Sequence, residues 1–141
     1  MGLRRKGREF ALQTLYQLDI TGKTGDAAAD LHELKYPADV KSFAVELVEG
    51  TLENLGAIDG IITEFSENWD LSRMSFVDRN ILRLAVYEIR FRQDIPFKVS
   101  INEAIELGKK YGSDQSGKFI NGVLDKIVIR PLKNSGEANS P

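Results

Sequence analysis

The sequence predicts an all-α fold of about seven helices, arranged as two small bundles that share one core. Apolar residues make up 42% of the 141 residues, which is enough for a real interior. They recur at helical spacing in every long segment, and only Val99-x-Ile101 hints at the alternation of a β-strand. We find no internal repeat and no long linker, so we expect the helices to form one unit.

Residues 75–92 predict the central helix of this fold. At about 100° per residue, apolar positions cover well over half of the circumference, so the helix should pack on two sides. Ser75 and Asp78 mark its start, because the hydroxyl can cap a free backbone N–H and the carboxylate faces the positive helix end. Glu88 lies inside the apolar arc and predicts a structural ion pair, with Arg92 as the candidate partner.

The remaining helices follow from the same periodicity. Ser100 and Glu103 have the spacing of a second capping box, and Gly112 suits a left-handed helix stop. Beyond Pro131 the chain is polar, so we expect residues 131–141 to be a disordered tail. The other predicted helices cover residues 5–20, 26–34, 40–55, 58–65, 100–111 and 116–131.

The charges are distributed unevenly, although the net charge is only −2. Residues 9–72 hold three bases against thirteen acids, whereas residues 73–133 hold twelve bases against seven acids. The first eight residues carry four cations and no acid. This asymmetry indicates a polyanionic partner that meets the two basic portions. The amino-terminal cations are Arg4, Arg5, Lys6 and Arg8.

Two further features favour nucleic acid over a merely solvated terminus. Three arginines, at 79, 83 and 90, lie along one face of the predicted central helix. Phe119 falls at the margin of the apolar arc of the last helix, with Lys126 and Arg130 on the same flank. We expect it to be partly exposed and to stack on a base of single-stranded RNA. A phenylalanine at the edge of the core is the equally weighted alternative.

Several other classes of function are disfavoured by the residue inventory. The chain has no cysteine, which indicates a reducing compartment, and one histidine, His32, which gives poor support to a metal site. No apolar run is long enough for a membrane span, so a cytoplasmic protein is expected. Trp69 is expected in the core rather than as a stacking platform, although it lies close to Arg73 in the chain. No nucleophile, base and orienting group can be assembled, so catalysis and a cofactor are not expected.

One short motif resembles the phosphate-binding loop of nucleotidases. Gly112-x-x-x-x-Gly117-Lys118 has the required spacing, but Phe119 replaces the Ser or Thr that binds magnesium. A helix rather than a strand precedes the first glycine. Nucleotide hydrolysis is therefore disfavoured, although Lys118 at a helix start can still meet a phosphate oxygen.

Three segments resemble the NusB transcription antitermination factor family in order and spacing, and the closing one is especially specific. Gly7 and Gly108 stand where alanine is expected, which should weaken each helix locally by about 1 kcal/mol. The segments are RRKGREFALQTLYQLD, WDLSRMSFVDRNILRLAVYE, and INEAIELGKKYG followed by SGKFINGVLDK.

The resemblance implies one non-enzymatic helical RNA-binding domain over residues 1–130, with sub-bundles at about 4–55 and 57–130. It also implies binding to single-stranded boxA RNA of nascent ribosomal RNA transcripts, together with NusE, a small-subunit ribosomal protein. That complex helps to keep RNA polymerase elongating. By position, the implied partner contacts are Tyr16 and Asp78. The implied RNA contacts are Arg4, Arg5, Lys6, Arg8, Lys118 and Phe119.

Two alternatives remain. The same helical domain occurs fused to RNA cytosine methyltransferases, but this chain has no room for a cofactor-binding α/β domain. The other alternative is a helical protein-interaction module that dimerises through apolar surfaces, with RNA binding incidental. Light scattering with and without boxA RNA would distinguish these possibilities.

Overall fold

A computed structural model describes residues 2–22, 31, 33–67 and 69–129, and these residues confirm the all-helical prediction. They contain six α-helices and one 3-10 helix at Leu71–Arg73, and no strand. Most of the helix predicted over 26–34, His32 and the tail 131–141 lie outside the described residues. The α-helices are α1 (Gly2–Thr21), α2 (Ala38–Glu53), α3 (Leu55–Phe65), α4 (Phe76–Phe91), α5 (Phe97–Tyr111) and α6 (Ser116–Ile129).

Helix α4 is the centre of the described fold, as its wide apolar arc predicts. It packs against all five of the other described α-helices. Its interior side chains are almost fully buried, and each large one stabilises the fold by about 1.5–3 kcal/mol. Its start also follows the prediction, because the Asp78 N–H donates to Ser75 Oγ at 3.0 Å. The buried apolar residues of α4 are Ile81, Leu82, Leu84, Ala85 and Val86.

The structural ion pair predicted at Glu88 exists, but its partner is Arg8 rather than Arg92. The Arg8 Nε and Nη2 atoms donate to the Glu88 carboxylate at 2.8 and 2.9 Å. Arg92 lies just past the end of α4, where the backbone is extended, and its side chain binds Asp94 at 2.9 Å instead. Ser100 Oγ completes the buried cluster by donating to Glu88 at 2.7 Å.

Two helix starts differ from the sequence prediction. Helix α1 begins at Gly2, three residues before the predicted start, so that Arg4 also lies on the helix. Helix α5 begins at Phe97, because Pro96 with ψ 138° occupies the N-cap position. The predicted capping box is therefore wrong: Ser100 and Glu103 lie inside α5 and bond to other helices.

Gly7 and Gly108 lie at close helix contacts, which adds a packing role to their low helix propensity. A Cβ atom on Gly7 would lie 2.9 Å from Phe43 Cδ2. A Cβ atom on Gly108 would lie 2.9 Å from Ile120 Cδ1. The left-handed stop predicted at Gly112 is wrong, because this residue is extended at φ −98°.

Candidate nucleic-acid interface

The first turn of α1 carries two exposed arginines, and both face carboxylates of the α4–α5 region. Arg5 donates through Nε and Nη2 to the Glu103 carboxylate at 3.1 and 2.7 Å. Arg4 lies 3.6 Å from the Asp94 carboxylate, and both of these side chains are about half exposed. The hydrogen bonds from Arg5 lower the pKa of Glu103, so this carboxylate stays ionised well below neutral pH. The arginines are thus held at the surface at defined positions.

Glu9 connects the basic start of α1 to the basic end of α5. Its side chain is only 8% exposed, and its two oxygens accept hydrogen bonds from Lys6 at 3.1 Å and Lys110 at 2.6 Å. Burial alone would raise the pKa of Glu9, but the hydrogen bonds from Lys110 and Lys6 outweigh burial and lower it. Each ammonium group keeps further N–H donors for an outside ligand.

Lys118 joins the same surface through the end of α5. Lys109 and Lys118 line one polar surface cavity of about 470 Å³ at the start of α6. The end of α5 thus connects the two basic helix starts, because Lys110 shares Glu9 with Lys6 and Lys109 shares a cavity with Lys118. We call the set the basic face. It consists of Arg4, Arg5, Lys6, Lys109, Lys110 and Lys118.

Arg8 does not belong to the basic face, which corrects the expectation of four exposed cations. It is 3% exposed, and its guanidinium is bound to Glu88 inside the molecule. Because α1 is helical from Gly2, Arg8 lies about one turn after Arg4 but rotated toward α4. The cationic start of the chain is therefore part of the packed fold.

The arginines of α4 do not form a second exposed basic surface either. Arg79 and Arg83 bind the same Asp19 carboxylate oxygen at 2.8 and 3.1 Å, and Arg83 also binds Asp59 at 2.8 Å. Burial alone would raise the pKa of Asp19, but hydrogen bonds led by that from Arg79 lower it. Arg90 is partly buried and donates to the Ile127 carbonyl at 3.4 Å. These arginines join helices to one another.

Phe119 is partly exposed, as expected, and its neighbour is an exposed tryptophan. It packs on the core with one side. Its ring meets the ring of Trp69 edge to face, with centroids 5.8 Å apart and planes at 63°. Trp69 is 51% exposed, so the expectation that it lies in the core is wrong. Lys126 on the same flank binds Glu67 at 2.6 Å, and Arg130 lies outside the described residues.

A separate apolar groove lies between α1 and the start of α4. Tyr16 is 38% exposed, and its ring meets that of Phe76 edge to face at 6.2 Å. Asp78 lies in the first turn of α4, directly after Val77 of the groove lining, and its Oδ1 atom is buried without a hydrogen-bond partner among the described residues. The groove is lined by Leu12, Gln13, Tyr16, Gln17, Ile20, Val77 and Tyr111, and encloses about 370 Å³.

Three residues that shape the basic face are not among those predicted from the sequence: Glu9, Lys109 and Lys110. Lys109 and Lys110 do have a sequence signal, because two adjacent cations in the turn before a glycine are typical of a helix end. The link that Glu9 makes between helices has no such signal: Lys6, three residues away, is a local partner, but Lys110 lies 101 residues away. Among the described residues there is no cluster that could hold a metal ion and no helix that could span a membrane.

The sequence pattern of the NusB family matches residues 5–128 of the chain. The chain belongs to the NusB family. It is 51% identical over 140 residues to the transcription antitermination protein NusB of Desulfitobacterium hafniense, covering 96% of this chain and 95% of that protein. It is 52% identical over 130 residues to the NusB protein of Pelotomaculum thermopropionicum, covering 91% and 90%. The resemblance found in the sequence is thereby confirmed.

Solved structures of the NusB family share the described fold. T. maritima NusB is 42% identical, with a TM-score of 0.83 over 95% of this chain and 96% of that chain. A crystal structure of the antitermination factors NusB and NusE in complex with dsRNA gives a TM-score of 0.79 at 30% identity. That match covers 90% of this chain and 96% of the other. The all-helical architecture is therefore the NusB architecture.

Proposed function

We propose that this protein is a transcription antitermination factor of the cytoplasm that needs no cofactor and catalyses no reaction. It binds single-stranded boxA RNA of nascent ribosomal RNA transcripts together with NusE, and thereby helps to keep RNA polymerase elongating. The observation that carries the proposal is the basic face beside an apolar groove. The NusB relatives named above, one of them solved with NusE and dsRNA, support it.

The basic face is the proposed RNA surface. Arg4, Arg5 and Lys6 would contact phosphates from α1, and Lys118 would do so at the start of α6, where free N–H groups also favour anions. Phe119 would supply base stacking next to these cations. Arg8 takes no direct part in this proposal, since its guanidinium is buried with Glu88.

The apolar groove is the proposed NusE surface. Tyr16 and Phe76 offer exposed aromatic area, and Asp78 offers a negative charge in the first turn of α4 beside them. The groove and the basic face meet at the end of α5. There Lys110 Nζ lies 5.4 Å from the ring centre of Tyr111, which lines the groove. RNA and NusE would therefore bind side by side, and each should strengthen the binding of the other.

The proposal is tested by RNA titrations with and without NusE, read by fluorescence anisotropy of labelled RNA. We expect tighter binding to boxA RNA than to a scrambled RNA of the same composition, and tighter still with NusE present. Equal affinities for both RNAs, unaffected by NusE, would count against the proposal. Light scattering of the same samples would then show whether the chain is instead a dimerising interaction module.

A further inference from the structure

Trp69 is the only tryptophan of the chain, and half of its surface faces solvent. A tryptophan buries a large apolar area when it is packed, so leaving it exposed forgoes a large gain in stability. Exposed aromatic rings with polar neighbours are typical of binding surfaces. Packing does not account for the exposed half of Trp69, because this residue is not part of the buried core.

The backbone at Trp69 is fixed, so the ring is displayed from a defined position. The Trp69 N–H donates to the Ser66 carbonyl at 3.2 Å, and Ser66 Oγ donates to the Trp69 carbonyl at 2.9 Å. Ser66 itself is buried. Glu67 follows α3 with φ 57°, a left-handed conformation that a non-glycine residue seldom adopts. The two hydrogen bonds with Ser66 therefore hold the Trp69 backbone next to the end of α3.

The indole ring has an aromatic neighbour on α6, and the same helix also carries two lysines. Phe119 contacts the ring edge to face, so at 63° the two rings do not cover each other. Lys118 is exposed and adjacent to Phe119 in the chain, and belongs to the basic face. Lys126 lies two turns further along α6 and neutralises Glu67 beside Trp69. Aromatic rings flanked by cations stack on bases and hold the adjoining phosphates.

We propose that Trp69 and Phe119 form one two-ring platform on which an unpaired RNA base stacks, so that the RNA path continues from Lys118 to the loop before α4. This inference rests on the proposed function and assigns Trp69 as a further RNA-binding residue. A protein partner is disfavoured at this site, because the apolar groove already offers a larger and more continuous apolar surface at Tyr16. Such a platform would contact any of the four bases, because every base has a flat face that can stack on an aromatic ring.

The single tryptophan reports directly on this contact. Unlabelled single-stranded boxA RNA is titrated into the full chain, and the intrinsic tryptophan fluorescence is recorded. Stacking of a base on Trp69 should quench the emission and saturate at the affinity measured by anisotropy. In a second titration, Trp69→Ala should weaken RNA binding by about fivefold to a hundredfold, the usual range for one stacked base. Trp69→Phe should retain most of the affinity.

Phe91→Ala is the matched control, because Phe91 is also an exposed aromatic residue with one aromatic neighbour, Tyr87. It lies at the carboxyl end of α4, roughly 20 Å along the helix axis from the start of that helix, which follows Trp69 in the chain. We expect this variant to bind RNA like the parent protein. Circular dichroism and urea unfolding of all variants exclude misfolding as the cause of weaker binding.

The inference and the proposed function fail in different ways. If the parent protein binds RNA while Trp69→Ala binds equally well and the tryptophan emission does not change, the platform is wrong and the proposed function stands. If Trp69→Ala weakens only NusE binding, Trp69 belongs to a protein interface and the platform is also wrong. If the parent protein binds no RNA with or without NusE, both are wrong.

Discussion

Arg8 and Glu88 form a two-bonded ion pair inside the molecule, with N–O distances of 2.8 and 2.9 Å. The pair joins α1 to α4, and Ser100 extends it to α5. Because both side chains are almost completely buried, neither charge is screened by water. One cation of the amino-terminal basic run therefore stabilises the fold and is not available to RNA.

Substituting either partner of this pair should be strongly destabilising. Arg8→Met leaves the Glu88 carboxylate buried and unpaired, for which we expect a loss of about 3–5 kcal/mol in the free energy of unfolding. The double variant Arg8→Met, Glu88→Met should lose less than the sum of the two single variants. Urea unfolding measures all three. Arg5→Met is the matched control, since its pair with Glu103 is more exposed and should contribute far less.

The exposed cations of α1 should set the salt dependence of RNA binding. We expect the combined substitution of Arg4, Arg5 and Lys6 by Gln to weaken RNA binding while the fold is retained. Each phosphate that is no longer neutralised should reduce the slope of log affinity against log salt by about 0.7 on a single strand. Three such phosphates predict a decrease of about 2 in the slope. Deletion of residues 1–8 would be a poor test, because it also removes buried Arg8.

The control for this experiment is Lys41→Gln, which removes a cation from α2, outside the basic face. Its salt slope should equal that of the parent protein. An identical slope in the triple variant would show that these cations do not contact the RNA backbone.

Local signals account for the parts of the fold that the sequence predicts. The central position of α4 follows from the width of its apolar arc, and its start follows from the hydroxyl of Ser75, three residues before Asp78. Both patterns lie within about one helix, so neighbouring residues in the chain contain the whole signal. The partial exposure of Phe119 is also predicted from a single helix, because it follows from the position of this residue at the margin of the apolar arc.

The candidate site is less predictable, because a cation has the same sequence pattern whether it faces water or a distant carboxylate. Arg83 is bound to Asp19 and Asp59, which lie 64 and 24 residues away. Arg8 is bound to a residue 80 positions away. Helical periodicity gives the face on which a side chain lies, but not what the next helix presents to that face. The exposure of Trp69 is unpredictable for the related reason that a loop has no periodicity.

Two glycines in helix interiors should respond to alanine with opposite signs. A Cβ atom on Gly50 would overlap the ring of Tyr87, so Gly50→Ala should destabilise the protein by about 1–3 kcal/mol. Gly60 lies on the exposed side of α3 with open space around it, so Gly60→Ala should stabilise by up to about 1 kcal/mol. Thermal or urea unfolding of both variants measures these changes. A stabilising Gly50→Ala would mean that Tyr87 packs differently.

Acid should remove the stabilising contribution of Asp94. Hydrogen bonds from Arg92 lower the pKa of Asp94 to about 2, from about 3.9 in an unfolded chain. The pair therefore stabilises the folded state fully above about pH 4, and its contribution is lost as the pH falls toward about 2. Unfolding of the parent protein and Asp94→Asn should differ at neutral pH and converge over this interval.

Reversing the charge at the groove should separate partner binding from RNA binding. Asp78→Lys replaces an anion beside the groove with a cation, so we expect NusE affinity to fall at least about tenfold, or about 1.4 kcal/mol. The affinity for RNA alone should change little, because Asp78 lies outside the basic face. Tyr16→Ala should act in the same direction, since an exposed aromatic residue in a groove is a typical hot spot.

The stability of each variant has to be measured together with these affinities, because the Asp78 carboxylate also stabilises α4 by facing its positive amino-terminal end. Asp78→Asn keeps an acceptor oxygen and should retain most of the NusE binding. Glu53→Lys makes the same charge reversal on α2, away from the groove, and should leave NusE affinity unchanged. Isothermal titration with purified NusE, together with the thermal midpoint of each variant, decides the question. A folded Asp78→Lys variant with undiminished NusE affinity would place the partner surface elsewhere on the molecule.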